Sequence, residues 1–327
     1  MGVTGKADDL RMARYALGID GGGSKCDALL VAEDGTAAGH GRGGPTHVYY
    51  DPPGVISASH VQAVEQALAG VSGAEVWSAG HLPEGAPTGA VAARNRQVRH
   101  VHATEVDTGF VSAQEEWGLI VLAGTGSFVH GRSPDGGDLH FGGLGPVLND
   151  YGSAYAIGLL GLRAAFASDW TAARRTSLAE AIPKALGAAD RREVFNLVYV
   201  RGIGRREIAA LAKVVDAEAE TGDRVAAACI ERAADELAET ALDAVRELAM
   251  EQLPFPVIAI GSVARNCVRW WQRVCQRIGE IAPAMRPVKP ALTPAAGAAL
   301  IALREMGVEW TPSLLERVRA TEPTARR

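Results

Sequence analysis

The sequence predicts an α/β protein with two domains built on one plan. The chain has 327 residues, which is room for two domains of ordinary size. A pattern of strand, glycine turn, strand, Asp-Gly turn and strand occurs twice along it. Elsewhere, short apolar strand candidates alternate with helix candidates, which is typical of mixed sheets connected by crossover helices.

The first copy of the pattern opens with an apolar strand at residues 15–20 that runs into three glycines at 21–23. A second strand follows at 26–32, then a Glu-Asp-Gly-Thr turn at 33–36 and a third strand at 36–40. This order predicts a three-stranded antiparallel meander whose first turn is rich in glycine.

The second copy repeats the order with a strand at 118–123, a glycine turn at 124–127 and a strand at 128–131. A Pro-Asp-Gly-Gly turn at 134–137 and a strand at 138–141 complete it. Two glycine turns in the same setting indicate an internal duplication.

Further elements are predicted from apolar periodicity. They are a helix at 60–68, a strand at 74–79, a helix at 86–95, a strand at 98–104, a helix at 223–251, a strand at 255–260 and helices at 264–278 and 294–306.

The composition favours a soluble, cytoplasmic protein without a nucleic-acid or membrane partner. Hydrophobic residues make up 47% and charged residues 22%, and the formal net charge is −5. No apolar run reaches the roughly 18 residues of a membrane span. The four cysteines form no Cys-x-x-Cys pair, as expected for reduced thiols; they are Cys26, Cys229, Cys267 and Cys275.

The first glycine turn predicts a phosphate-binding site. Glycines let successive backbone N–H groups converge on one anion, and a carboxylate at the end of the strand can hold a hydrated magnesium ion beside it. Asp20 is that candidate metal ligand. The candidate phosphate-binding residues are Gly21, Gly22, Gly23, Ser24 and Lys25. The alternative is a tight hairpin selected for its backbone conformation alone.

The second turn offers the same arrangement with two hydroxyl groups, and its residues are Gly124, Thr125, Gly126 and Ser127. Across an interdomain cleft, the two turns would hold the β- and γ-phosphates of ATP. Gly261 and Ser262 follow a buried strand, where the adenosine of a nucleotide could pack on bare backbone. A simple strand-to-helix turn is the alternative for that pair.

These three elements resemble the phosphate-1, phosphate-2 and adenosine motifs of the actin-like ATPase superfamily. Within it, the chain is most similar to the N-acetylglucosamine kinase and BadF/BadG/BcrA/BcrD ATPase family. Residues 142–155 resemble that family's GGWGH…GDEGSAY stretch, and further matches lie at 198–199, 205–209, 222–223 and 293–299. The likeness runs from about residue 15 to residue 303.

The resemblance implies two ribonuclease-H-like domains with a nucleotide cleft between them, ATP and Mg²⁺ as cofactors, and phosphoryl transfer to a hydroxyl of an amino sugar. It predicts a disordered arm at 1–14, a first domain at 15–114, for which the C-terminal helix at 300–327 is an optional completion, and a second domain at 115–299. Homodimer formation is left open.

The resemblance also implies a catalytic aspartate just after the strand that precedes the second turn, where it accepts the hydroxyl proton. Ungapped alignment back from Gly118 places Glu105 there, and a short deletion would place Asp107 there. If the strand continues, both carboxylates share one face. Alternatively, Thr104 and Asp107 form a helix capping box, and neither acid is catalytic.

The acceptor-binding positions depart from the family pattern. His47 stands near the family's asparagine, Leu144 replaces the tryptophan of GGWGH, and Tyr151 replaces the second acid of GDEGS. The candidate substrate contacts are His47, Gly143, Gly145 and Asp150. The changes point to a different acceptor, or to an ATP-binding sensor or regulator with weakened or no kinase activity.

Overall fold

The computed structural model describes residues 13–80 and 97–323, without the side chains of residues 97 and 98. The predicted helix at 86–95 and all but the last two residues of the predicted N-terminal arm lie outside these ranges. The chain divides into two compact units, each treated by itself below. The described residues up to 112 and from 291 on form the first unit, and residues 113–290 form the second.

The described residues contain strands β1 (Arg14–Gly21), β2 (Cys26–Ala32), β3 (Ala37–Gly43), β4 (Glu75–Gly80), β5 (Gln97–His102), β6 (Gly118–Ala123), β7 (Ser127–Arg132), β8 (Asp138–Gly142), β9 (Pro256–Ile260) and β10 (Arg286–Val288).

The described helices are α1 (Pro53–Ala67), α2 (Glu105–Ala113), α3 (Ala154–Ala167), α4 (Leu178–Ala185), α5 (Arg191–Asn196), α6 (Arg205–Ala210), α7 (Ala212–Glu220), α8 (Arg224–Glu247), α9 (Ser262–Asn266), α10 (Val268–Ile281), α11 (Pro294–Glu305) and α12 (Pro312–Thr321). A 3₁₀ turn (Ala172–Arg174) and a π-helical turn (Leu197–Arg201) complete the set.

The two units contain sheets of the same topology. In the first sheet the order is β3-β2-β1-β4-β5, and in the second it is β8-β7-β6-β9-β10. In each, the first three strands are antiparallel and the other two run parallel to the first. This confirms the predicted pair of α/β domains with one plan, and the repeat in the sequence corresponds to a repeat in the fold.

The first sheet is covered on both faces because β2 is apolar and buried at every position from 28 to 31. Leu29 and Val31 on β2 pack in a cluster with residues of α11 and α12, whereas Ala28 and Leu30 pack with residues of α1. Successive side chains on a strand point to opposite faces, so one strand serves both clusters.

Helices α11 and α12 both belong to the first unit, whereas the predicted second domain extended to residue 299. Gly18 on β1 lies directly against α11, since a Cβ there would be 1.9 Å from Ala295 O and 2.4 Å from Ala299 N. Only a bare backbone lets helix and strand approach so closely. Residues from 291 on therefore pack with the first sheet.

Three predicted elements differ in extent for local reasons. The strand at 98–104 ends at His102, and Glu105 opens a helix instead. The helix at 264–278 is divided at Cys267, whose backbone is extended. The long helix at 223–251 ends at Glu247, because Ala249 adopts a positive φ of 50°. Among the described helices, none combines the length and the apolar character needed to cross a membrane.

Helix α1 packs against the glycines of β3, and this contact can be tested by substitution. A Cβ on Gly41 would be 1.9 Å from Ala63 O, so Gly41→Ala must displace the helix. We expect a loss of roughly 1–3 kcal/mol in the free energy of unfolding, measured by chemical denaturation. Gly54→Ala, in the same helix with nothing within 4 Å, is the control and should be neutral or stabilising. Equal effects of the two substitutions would contradict this account.

Candidate active site

The first glycine turn joins β1 to β2 and is held by the segment after β3. The Gly22 N–H donates to Lys25 O at 2.9 Å, and the Thr46 N–H donates to Gly22 O at 3.0 Å. A Cβ on Gly21 would lie 2.6 Å from Thr46 Oγ1, so glycine is needed there. A Cβ on Gly22 would meet only Lys25 O, at 3.8 Å. One side of the turn is therefore packed and the other is open.

Lys25, predicted to add positive charge for a phosphate, forms an ion pair with Asp27. Asp27 also accepts a hydrogen bond from Arg42 Nε at 2.6 Å. Burial opposes ionisation of Asp27, but the hydrogen bonds from Arg42 and Lys25 outweigh it and lower the pKa of this carboxyl. The positive charge of Lys25, a residue of the turn, is thus paired with a carboxylate of β2.

Asp20 lies at the end of β1, directly opposite Asp27 in the antiparallel register. Burial, and to a smaller extent the charge of Asp27, raise the pKa of Asp20 to about 6, and Lys25 opposes the shift. A nearby cation would relieve this repulsion. Among residues 13–80 and 97–323 no three His, Cys, Asp or Glu side chains form a metal-binding group. Magnesium often binds through one carboxylate with water and phosphate oxygens, so Asp20 fits that mode.

Thr104 and Asp107 form the capping box that was the alternative to a strand. The Asp107 N–H donates to Thr104 Oγ1 at 3.1 Å, and the Thr104 N–H and hydroxyl donate to Asp107 Oδ2 at 3.0 and 2.7 Å. The expectation that Glu105 and Asp107 share a strand face is wrong, because helical residues two apart point roughly 200° from each other. The Asp107 carboxyl is committed to the start of α2.

Glu105 is the first residue of α2, and its carboxyl interacts with Asp20 in the same unit. Burial, and to a smaller extent the charge of Asp20, raise the pKa of Glu105 from its ordinary value of 4.5 to about 8. By surface area, however, Glu105 is exposed, so solvent screens this shift. The structure therefore brings together a predicted metal ligand and one of the two predicted catalytic acids, from the end of β1 and the start of α2.

The second glycine turn joins β6 to β7 in the second unit. A Cβ on Gly124 would have nothing within 4 Å, so that position is open. The hydroxyl of Ser127, predicted as a phosphate contact, is buried and donates to Tyr151 O at 2.6 Å. The side chain of Ser127 thus supports the turn from inside. A hydroxyl used in this way does not face a ligand.

Gly261 brings the predicted adenosine motif against the second glycine turn. Its φ is +86°, and a Cβ there would lie 2.4 Å from Ala123 O and 2.9 Å from Gly124 N. Both the positive φ and the contact require glycine. Ser262 then opens α9. Two of the motifs that sequence analysis assigned to a nucleotide are therefore adjacent in the second unit.

The predicted substrate residues are placed less favourably. Asp150 is buried, with its side chain 2% exposed, and its carboxyl pairs with Arg205 at 2.6 Å. A carboxyl enclosed by its ion pair presents little surface to a sugar, so its burial weighs against a substrate contact by Asp150, which stays a prediction. Gly143 and Gly145, at φ of +70° and +89°, shape the loop after β8.

His47 lies in the first unit, in the loop after β3. Its ring stacks at a tilt against Tyr50, with ring centroids 4.6 Å apart. The backbone N–H of His47 donates to Asp51 Oδ2 at 2.9 Å. The neighbouring Tyr49 and Val48 are exposed. An imidazole among exposed rings remains a candidate for contacting a sugar face.

Sequence analysis missed two side chains that position the glycine turns. The sequence analysis gave no role to Thr46 and included Arg205 only in a matching motif. Thr46 is 24 residues from Gly22, and Arg205 is 55 residues from Asp150, its ion-pair partner. A resemblance at residues 205–209 was the sole signal, and it carried no indication of a partner.

With the fold and these motifs in place, the class of protein can be stated. The sequence profile of the BadF/BadG/BcrA/BcrD ATPase family matches residues 17–302. The chain belongs to this family, which confirms the resemblance found in its sequence.

Individual relatives refine the comparison. The chain is 32% identical over 149 residues to the N-acetylmuramic acid/N-acetylglucosamine kinase of Clostridium acetobutylicum, covering 46% of this chain and 49% of that one. It is 25% identical over 189 residues to the N-acetyl-D-glucosamine kinase of Dictyostelium discoideum, covering 57% and 59%. The chain thus matches only about half of each of these curated relatives.

A solved structure extends the similarity of fold over most of the chain. The candidate N-acetylglucosamine kinase of Chromobacterium violaceum superposes with a TM-score of 0.63 at 21% identity, covering 88% of this chain and 99% of that one. This confirms the predicted ribonuclease-H-like (actin-like ATPase) fold class.

The raised pKa of Glu105 predicts a pH-dependent stability. A carboxyl with a folded pKa of about 8 favours folding below its unfolded pKa of 4.5 and loses that contribution as pH rises through 8. Glu105→Gln should therefore be more stable than wild type above pH 8, by roughly 1 kcal/mol because solvent screens this exposed side chain. The difference should vanish near pH 4.5 in thermal denaturation without metal. A difference that is constant across this range would contradict the assignment.

Proposed function

We propose that this protein is an ATP-dependent kinase that transfers the γ-phosphoryl group to a hydroxyl of an amino sugar such as N-acetylglucosamine or a related sugar. The observation that carries the proposal is the matching glycine turn in each unit, between the first two strands of its sheet, with Asp20 at the end of the strand before the first turn. Membership of an ATPase family and the names of the two relatives support it.

Glu105 is the proposed general base. The acceptor hydroxyl gives its proton to the Glu105 carboxylate while its oxygen forms the new bond to the γ-phosphorus, and the bond from that phosphorus to the leaving ADP oxygen breaks. A base works best when its pKa is near the working pH, and burial brings Glu105 into that range. Asp107 is the weaker candidate because it caps α2.

The glycine turns are proposed to bind phosphate through backbone N–H groups, at Gly21–Lys25 in the first unit and Gly124–Ser127 in the second. Gly261 and Ser262 are proposed to take the adenosine, since their backbone lies against the second turn. Magnesium held by Asp20 would neutralise charge on the phosphates. His47, Gly143 and Gly145 remain proposed contacts of the acceptor.

A cytoplasmic location is proposed with this activity. All four cysteines are free thiols, and three of them are buried. Such thiols are typical of proteins in a reducing compartment, where ATP is also available.

The base assignment predicts a clear difference between two conservative substitutions. Glu105→Gln should lower kcat by roughly 10²–10⁴-fold with little change in KM for ATP, because only proton transfer is lost. Asp107→Asn, which can still accept the capping hydrogen bonds, should keep kcat within about threefold. ADP release is measured with N-acetylglucosamine, N-acetylmuramic acid and glucose as acceptors. A larger loss with Asp107→Asn would reverse the assignment.

Nucleotide binding is the more general test. Titration calorimetry should detect ATP binding in the presence of magnesium, and removal of magnesium should weaken it about tenfold or more, since phosphate charge near Asp20 is then uncompensated. The expectation for Asp20→Asn is a smaller dependence on magnesium. If ATP and ADP leave the protein unchanged with and without the metal, the kinase proposal is wrong.

The second candidate is an ATP-binding sensor or regulator of the same fold. Burial of Asp150 and the replacement of the neighbouring acid by Tyr151 favour it, because both alter positions that the family resemblance assigned to the acceptor. A sensor would bind ATP without releasing ADP for any acceptor, and Glu105→Gln would leave that binding unchanged.

A further inference from the structure

The segment directly before α3 supports the second glycine turn at three points, a role that phosphoryl transfer to a sugar does not explain. Ser127 Oγ donates to Tyr151 O at 2.6 Å, and the Ala154 N–H donates to Gly124 O at 2.8 Å. A Cβ on Gly126 would lie 3.0 and 3.2 Å from the two carboxyl oxygens of Asp150. The turn thus rests on residues 150–154.

Arg205 completes this support from a distant part of the chain. Its Nη2 donates to Asp150 Oδ2 at 2.6 Å, and the same atom would lie 2.6 Å from a Cβ on Gly126. The Arg205 side chain is 12% exposed and that of Asp150 is 2% exposed. The backbone of Gly126 is therefore packed directly on a buried ion pair.

The position of Arg205 is itself fixed by close helix packing. Arg205 opens α6, and a Cβ on Gly158 of α3 would be 1.9 Å from Ile208 O. Helix α3 begins at Ala154, immediately after the segment that supports the turn. The guanidinium and the turn are thus both anchored to α3, and a buried charge held in this way keeps its partner in one geometry.

We propose that Arg205 is a positioning residue for the phosphates of ATP: through its ion pair with Asp150 it holds Gly124–Ser127 in the conformation that binds them. The inference rests on the proposed function and assigns to that site a residue on a separate helix. It also assigns Asp150 a role in nucleotide binding instead of sugar binding.

A substitution of a residue that positions the turn should weaken binding of ATP more than binding of adenosine. A substitution that only destabilises the fold should weaken both equally. The full chain is titrated calorimetrically with ATP and MgCl₂ and, separately, with adenosine, which has no phosphate. Arg205→Met should weaken ATP binding by at least about tenfold and change adenosine binding less than about twofold. Arg205→Lys, which keeps the charge, should stay within about threefold of wild type for ATP.

The matched control is Arg273→Met. Arg273 Nε forms an ion pair of similar length with Asp235, at 2.7 Å, in the same unit between α10 and α8, although both side chains are more exposed, at 32% each. Its loss should change ATP affinity less than about twofold. Because Arg205→Met leaves a buried carboxylate without its partner, the double variant Asp150→Asn with Arg205→Gln serves as a second test that buries no lone charge.

We expect this double variant, like Arg205→Met, to lose ATP affinity selectively. Folded variants that bind ATP as wild type does, or that lose ATP and adenosine affinity equally, would overturn the inference. So would an Arg273→Met variant with the same selective loss. Failure of the wild-type chain to bind ATP would instead remove the proposed function, so the two failures are distinguishable.

Discussion

Close contact of bare backbone is the constraint on which the rest of this structure depends. Gly18 lets α11 lie on the central strand of the first sheet, and Gly261 lets the end of β9 meet the second glycine turn. In both places a Cβ would fall within 2.4 Å of a carbonyl oxygen. Glycine therefore decides how closely the layers pack and where the candidate phosphate-binding turns lie within their units.

Charged side chains are arranged differently in the two units. In the first unit, Asp27 has its charge compensated by Lys25 and Arg42, while burial and repulsion raise the pKa of both Asp20 and Glu105. Carboxyls destabilised in this way favour a cation or a proton nearby, which is what a phosphoryl-transfer site needs. In the second unit, the buried acid Asp150 is compensated by Arg205, and the pair supports a turn.

This difference between the two units explains why the sequence predicted the surroundings of Asp20 better than those of Asp150. An acid at the end of a strand, such as Asp20, is positioned by its own strand, so sequence order places it beside the glycine turn. The placement of Asp150 as a substrate contact relied on resemblance alone. In the structure, a helix that begins 55 residues later supplies a guanidinium that pairs with this carboxyl. Only contacts through space could reveal that pairing.

Every described strand except β10, the two glycine turns, the internal repeat and the family were determined by the sequence itself, because apolar runs, glycine and Asp-Gly turns act locally. The tertiary structure decided which candidate acid interacts with Asp20. Thr104 binds Asp107 and starts a helix, which leaves Glu105 to approach Asp20. It also decided that α11 joins the first unit and that Asp150 is buried. Apart from the local bond between Thr104 and Asp107, these outcomes depend on contacts between residues distant in sequence, whose energies no local pattern encodes.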